Sequence, residues 1–561
     1  MDKKTLLAFF LIAVVLILMP YYMKIVAPQE QPISPIDSVA AAPAPPTESI
    51  SRTADIVTPP IREIVDGPSY ESVQQYVAER IVSVESPLYT ATISNKNGGS
   101  FTSFILKNYK ATDSTFVQLV DNFNKNNLLF EAISVDGIPL ILSEPWNLVD
   151  SKRIFNVTDR SKSITFTTVV LGRVISKTLT FNPTSYKIDV SFDFSDIKEQ
   201  ISQGLYSLSW NGGLPPTQKN LKDELFYYKA YVYQGDELSS EKLRKNKTLD
   251  EKYRGQTSWV GTRNKYFLTA IIPVGNAVGA SLRGTYETEI PQFDISIKQQ
   301  INSSNSFALY LGPLEYKSVS SLDVDLEQTM SMGFSLIRPI SRGVLAALVA
   351  MHKFIPNYGV VLIIFSILIK IIVYPLTKKS YQSMKAMSTL QPKLKALKEK
   401  HAKDPQKLNK ATMALYKEEG VNPMGGCLPM LIQMPLLFAL FQVFRSTIEL
   451  RGEPFMLWIT DLSAPDTLFE IGGFPINILP LLMAVSMFIQ QKMNPTAAGA
   501  GAGQQKSMMY FMNIFFIFIF YRLPSGLNLY YTLFNVLTIL QQKYLTPHQQ
   551  PVDPPIKTKK K

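Results

Sequence analysis

The sequence predicts a multi-domain membrane protein: six transmembrane α-helices, an N-terminal anchor plus a five-helix core, joined to a large antiparallel β-sandwich on the exported side. Three observations predict it. Apolar runs long enough to cross a bilayer crowd into the first 27 and the last 210 residues. Residues 28–330 carry only short runs, many with a period of two. The positive charge gathers on segments that flank the apolar runs.

Composition agrees with such a mixture. At 46% apolar the chain is too apolar for a wholly soluble multidomain protein, and at 18% charged it is too polar for a compact transporter. The net charge of +12 is unevenly held: residues 377–421 carry eleven Lys against four acids, and residues 490–508 carry Lys492 and Lys506. Residues 543–561 carry five Lys against Asp553. A general nucleic-acid-binding role loses its force, because the basic surface lies beside membrane spans; ribosomal RNA and anionic lipid remain as counterparts. A single cysteine, Cys427, excludes an internal disulfide and a cysteine-based metal site. No cofactor is implied.

Asp2-Lys3-Lys4 precedes the apolar run Thr5–Met19 and an aromatic pair, Tyr21-Tyr22, suited to an interface, so residues 1–27 read as an uncleaved anchor. Residues 28–69 form a linker; eight prolines among Ala, Ser, Thr and Gln fall within 28–60, too few apolar groups to fold. Residues 70–330 form the sandwich. Ile188, Val190, Phe192 and Phe194 alternate with Asp189, Ser191 and Asp193, which puts apolar side chains on one sheet face. Leu171-Gly172-Arg173 and Asn97-Gly98-Gly99 each separate two strand-like runs, as hairpin turns do. No HExxH, GxSxG or phosphate-cradling glycine loop appears there, and binding or spacing is its default role.

Residues 331–357 read as an interfacial amphipathic helix with Leu336, Ile340, Leu345, Leu348 and Met351 near one face. The core follows at 358–545. Its first span, Tyr358–Leu376, holds one charge, Lys370, and reaches about 28 Å. Residues 378–421 form a basic helical hairpin with Met387, Leu390, Leu394 and Leu397 on one arm and Leu408, Thr412 and Leu415 on the other. Four more spans are expected at Gly425–Phe444, Ile471–Ile489, Met508–Tyr521 and Leu527–Leu540, before a basic tail at 546–561. With Lys3 and Lys4 inside, all three basic segments fall in the cytoplasm, so both termini are cytoplasmic and the sandwich is outside.

A charge inside a span costs roughly 2.5–3.5 kcal/mol on insertion scales, so Lys370 must be hidden, hydrated or used. Snorkelling to the headgroups is one answer. Another is a shared hydrated concavity, for which Ser366 lies on the same helical face and Gln433, Gln442, Asn477, Asn513, Asn528 and Asn535 come from later spans. A small-solute transporter using Lys370 as an anion site is the alternative; no repeat between halves supports it, and solute flux in proteoliposomes would discriminate. A third class is a periplasmic carbohydrate-active or binding domain merely anchored by the spans.

Lys370-Ile-Ile-Val-Tyr-Pro-Leu-Thr-Lys378, Met387-Ser-Thr-Leu-Gln-Pro-Lys393, Ala414-Leu-Tyr-Lys-Glu-Glu-Gly-Val-Asn-Pro-Met-Gly-Gly-Cys-Leu-Pro429, Leu431-Ile-Gln-Met-Pro435 and Pro524-Ser-Gly-Leu-Asn-Leu-Tyr-Tyr531 resemble the YidC membrane protein insertases, kin to the mitochondrial oxidase assembly insertase. The anchor and exported domain look like the Gram-negative form of the bacterial inner membrane. The resemblance implies no enzyme but a chaperone for nascent inner-membrane proteins, with a hydrophilic groove open to the cytoplasm and lipid. The family's groove arginine falls on Lys370, its functional hydroxyl on Ser366 and its late aromatic on Tyr531; Met430 and Phe511 fall on the greasy side along which substrate helices slide. Lysine departs from the family, since an ammonium lacks the planar fork. The Sec translocon, the ribosome and its RNA through the hairpin and tail, phospholipid and the signal recognition particle system are the implied partners.

Overall fold

The computed structural model describes residues 77–545, apart from 112–113, 122–125, 195, 276, 287–288, 302–304, 403, 422–427 and 494–501. The expected anchor, linker and basic tail lie outside the described residues.

From Ile81 to Pro313 the described residues form two β-sheets. The smaller has five strands in the order Phe116–Val120, Ser100–Lys110, Tyr89–Ser94, Ile81–Glu85, Ile154–Asn156, the last pair being parallel. The larger has fourteen strands, antiparallel throughout its described pairs. Burial follows the period of two: in Lys187–Asp193 the buried residues are Ile188, Val190 and Phe192, and Asp189, Ser191 and Asp193 face solvent. The turn at Leu171 and Gly172 has φ of 51° and 75°, the left-handed pair that a tight hairpin needs, and it sets Val170 opposite Arg173. The two sheets meet face to face through aromatic rings. Phe101 of the smaller sheet stands 6.4 Å from Phe181 and 6.3 Å from Trp210 of the larger.

One inward position of this core carries a lysine. Lys177 is fully buried, and its Nζ donates to the carbonyls of Asn97 and Leu128, each at 2.9 Å. Burial pushes its pKa down to about 7.

Eight helices of eight or more residues follow among the described residues: α1 Arg338–His352, α2 Tyr358–Thr389, α3 Gln391–Lys400, α4 Pro405–Glu418, α5 Leu428–Ser446, α6 Leu479–Met493, α7 Ala502–Phe520 and α8 Ser525–Leu540. Within them, Tyr358–Lys378 is the one stretch long and apolar enough by itself to cross a membrane. α8 packs against α2, α5 and α6; α6 also packs against α7, and α1 lies along α2 and α5.

Three boundaries differ from expectation. Helix α2 does not end at Leu376; it runs through Pro375 to Thr389, 32 residues in all. The basic hairpin is therefore the far end of α2 with α3, folded against α4. Met387, Leu390 and Leu394 pack on Tyr416 there, and Lys393 pairs with Glu419 at 2.5 Å. The span expected from Ile471 begins at Leu479, because Gly472 and Gly473, at φ of 58° and 79°, turn a hairpin of Thr467–Ile471 with Phe474–Asn477. Asp466 then starts α6, its Oδ2 accepting from the amides of Ile478 and Leu479 at 2.9 and 2.6 Å. In α1 the buried face is Val344, Leu345 and Leu348, whereas Leu336 precedes the helix and is exposed.

The sheet domain and the helices share a joint. Arg445 in the last turn of α5 reaches Asp223, Arg451 Nη2 donates to Thr217 O at 3.4 Å, and Ser446 Oγ donates to Ser331 O at 3.2 Å.

Candidate functional site

Helix α2 carries β-branched and leucine side chains on nearly every face, so a charge on it has few places to go. Lys370 goes to α8. Its Nζ donates to Thr538 Oγ1 at 2.6 Å and lies 3.9 Å from the centre of the Phe534 ring. Thr538 and Phe534 are four residues apart and share a helix face, and Thr538 passes its own proton to Phe534 O at 2.7 Å. The ammonium thus rests on an aromatic face and a hydroxyl whose remaining lone pair points at it. A cation over an aromatic ring gains about 0.5–2 kcal/mol, the upper figure when desolvated. No ionised group of the described residues stands near Lys370.

Other polar residues form a seam between neighbouring helices. Asn535, on the turn of α8 before Thr538, donates to Ser486 Oγ of α6 at 3.1 Å, and Ser486 donates to Met483 O at 2.7 Å. Asn513 of α7 donates to Gln491 Oε1 of α6 at 2.6 Å. On α5 the Gln433 amide faces the Tyr530 hydroxyl of α8. Tyr530 and Tyr531 pack edge to face at 5.4 Å, and Tyr531 also meets Phe520 at 5.6 Å.

The sequence-derived residues divide accordingly. Ser366 is fully buried, one turn before Lys370, with its hydroxyl committed to Leu362 O at 2.7 Å. Lys370, Asn513, Gln433 and Tyr531 lie on helices that meet around α8. Asn528, in the first turn of α8, and Asn477, at the end of the hairpin before α6, lie apart from Lys370. Asn528 donates to Phe520 O at 3.2 Å and holds the turn from α7 into α8; it precedes Thr538 by ten residues, about 15 Å along the axis. Asn477 donates to Tyr521 O at 2.6 Å and accepts from Thr467 Oγ1 at 2.8 Å, fastening the hairpin to the same turn. Both placements have one physical reason: carbonyls left unpaired where helices end draw the nearest amide side chain. Phe511 projects from α7 with 61% exposure. Met430 lies on α5, and its side chain is outside the described ones.

Thr538, Phe534 and Ser486 were not among the expected residues. Thr538 is within reach of sequence reasoning, since it follows Tyr531 by seven residues and Asn535 by three, which places all three on one helical face. Phe534 reads as one more apolar residue in a span, and nothing in the sequence brings α2 beside it.

The arrangement is a lysine in a polar seam, held by neutral groups.

Two family models match the chain: one described as YidC periplasmic domain over residues 81–342, and one described as 60Kd inner membrane protein over residues 350–551. Similar relatives include the membrane protein insertase YidC of Chlorobium limicola, 34% identical over 97% of this chain and 94% of its own. That of Chlorobaculum parvum is 35% identical with the same coverage of each chain. That of Chloroherpeton thalassium is 33% identical over 100% of this chain and 99% of its own. A crystal structure of an active YidC insertase aligns over 84% of this chain and 95% of its own, at 18% identity and a TM-score of 0.35. Matched from end to end by these relatives, the chain belongs to the YidC family of membrane protein insertases.

Proposed function

We propose that this protein inserts and helps fold inner-membrane proteins by attracting their polar or acidic segments into the seam around Lys370 while their apolar helices pass along the outward face of α7 and α5. The observation that carries the reading is the seat of Lys370. Its ammonium is held by Thr538 and Phe534, both uncharged, so an incoming carboxylate competes with weak partners and has no resident anion to displace. Burial of a substrate's apolar helix is itself favourable, and the protein need only lower the barrier for its polar flanks. No bond is made or broken in such a step.

The organisation that serves this role has six spans: an anchor in residues 1–27, then helices within α2, α5, α6, α7 and α8. Both termini and the basic hairpin are cytoplasmic, and the sheet domain is periplasmic. Support comes from charge on the three basic segments and from helix ends: the start of α2, the end of α5, the start of α6 and the turn between α7 and α8 all meet the loops beside the sheet domain. The basic hairpin and tail would meet the ribosome and its RNA, and the signal recognition particle system and the Sec translocon are further partners of this reading.

Photocrosslinking tests it. Probes at Ser366 and Tyr531 should capture a nascent inner-membrane protein while its polar flank is in transit, and probes at Met430 and Phe511 should capture its apolar helix. Capture at neither set during active insertion would defeat the proposal.

A further inference from the structure

The outer ends of the helices carry bulky apolar side chains that the fold leaves uncovered. Phe354, four residues before α2, is 87% exposed; Leu457 is 82% exposed and Ile471 62%. Leu457 is held out at a cost, for its φ of 56° is a region that leucine rarely adopts. In the hairpin before α6, Ile471 stands opposite Phe474 and Phe469 opposite Ile476, so these apolar residues share one face, and Phe469, Ile471 and Phe474 are all exposed. Glu470 is the one charge from Thr467 to Asn477.

These groups are tied to neighbouring helix ends. The Asn357 amide, at the start of α2, donates to Phe455 O at 3.3 Å, two residues before Leu457. The hairpin is fixed to the start of α6 and to the end of α7, where Tyr521 donates its hydroxyl to Pro475 O and stacks on Phe474 at 5.5 Å. Trp458 donates to Asp466 at 3.1 Å and ties the two regions together. The Leu457 loop is tied to the start of α2 and the hairpin leads into the start of α6, two helices that both pack against α8.

We infer that the hairpin and the Leu457 loop form an apolar collar seated in the outer leaflet at the boundary of headgroups and acyl chains. A protein partner would need one contiguous patch, whereas a lipid plane meets several separate segments at one depth. The collar is also continuous with the outward faces of α6 and α7, where Leu481, Leu482 and Phe518 are exposed. It uses apolar burial without charge attraction. The inference rests on the membrane reading above.

The test uses the full chain with Cys427→Ser and one introduced cysteine, labelled with a solvatochromic fluorophore and reconstituted in phosphatidylethanolamine and phosphatidylglycerol vesicles. The sites are Ile471→Cys and Leu457→Cys, with Asp236→Cys on the sheet domain and Ile367→Cys in mid-helix as controls. Labels at 471 and 457 should be quenched by lipid spin-labelled near the headgroup, and iodide should quench them at least threefold less than it quenches the label at 236. Iodide quenching equal to that at 236, with the label at 367 quenched by deeply spin-labelled lipid, overturns the collar and leaves the membrane reading standing. Absence of lipid quenching at 367 as well overturns both. Protection that arises only when another membrane protein is added overturns the lipid assignment in favour of a protein partner.

Discussion

Arg445 closes α5 by donating from Nη2 to Asp223 Oδ1 of the sheet domain at 2.9 Å, and the other oxygen of that carboxylate accepts from Lys265 at 2.8 Å. Burial opposes ionisation of Asp223, but Lys265 and Arg445 together hold its carboxyl below the usual range. Phe226, Tyr227 and Phe441 offer ring faces to the Arg445 guanidinium within 5.8 Å. One carboxylate thus neutralises two cations where helix α5 meets the sheet domain. Asp223→Ala should cost about 3–5 kcal/mol, because it strands the buried Lys265 ammonium as well as Arg445. Thermal unfolding in detergent would register it, and a melting temperature equal to wild type would remove the joint from the stability of the molecule.

At Lys370, reversal of charge should matter more than change of shape. Lys370→Glu is expected to impair insertion of substrates with acidic exported segments about tenfold or more, as repulsion replaces attraction. Lys370→Arg should retain most activity. A reconstituted insertion assay compares them, and equal activity of the two variants would take Lys370 out of the mechanism.

Glu449, just beyond α5, gives a pH dependence. Burial, with a smaller push from Glu315, raises its carboxyl to about 7, while its own amide and that of Tyr316 work the other way. A carboxyl raised in the folded state binds its proton more tightly there than in the unfolded chain. Its contribution to stability is therefore complete below about pH 4.5 and lost as pH rises through about 7. Glu449→Gln should raise the melting temperature by a few degrees at pH 8 and by much less at pH 5. A difference independent of pH would contradict the assignment.

Gly359 in the first turn of α2 lies so close to Phe455 that a methyl group there would overlap the ring. Gly359→Ala is expected to destabilise the protein by about 1–3 kcal/mol through displacement of the Phe455 loop. Gly343→Ala in α1, where a Cβ meets nothing within 4 Å, should instead stabilise by about 0.5–1 kcal/mol. Melting curves of the pair separate the packing effect from helix propensity.

Much of this fold is legible in the sequence because its determinants are local. The alternation at Ile188, Val190 and Phe192 and the Leu171-Gly172 turn depend on neighbours in the chain, and they appear where the pattern puts them. Lys370 announces itself as a charge in an apolar run. Its seat does not, since Thr538 lies 168 positions away and is brought near only by packing of α8 on α2. The same limit explains Asn477 and Asn528. A polar residue in a span reads identically whether it lines a groove or caps a neighbouring carbonyl, and only the fold distinguishes them. Lys177 is the converse case: an ordinary lysine in an alternating strand, buried because three carbonyls converge on an inward position.

Helix α2 continues through Pro375, where the missing amide removes one rung of the hydrogen-bonded ladder. From Pro375 to Thr389 the helix extends about 21 Å, so a tilt of about 10° at the proline would sweep its tip sideways by about 4 Å. Lys370 lies five residues before that hinge. A displacement of the basic hairpin would therefore pivot within about one and a half helical turns of the seat that Thr538 and Phe534 give the lysine.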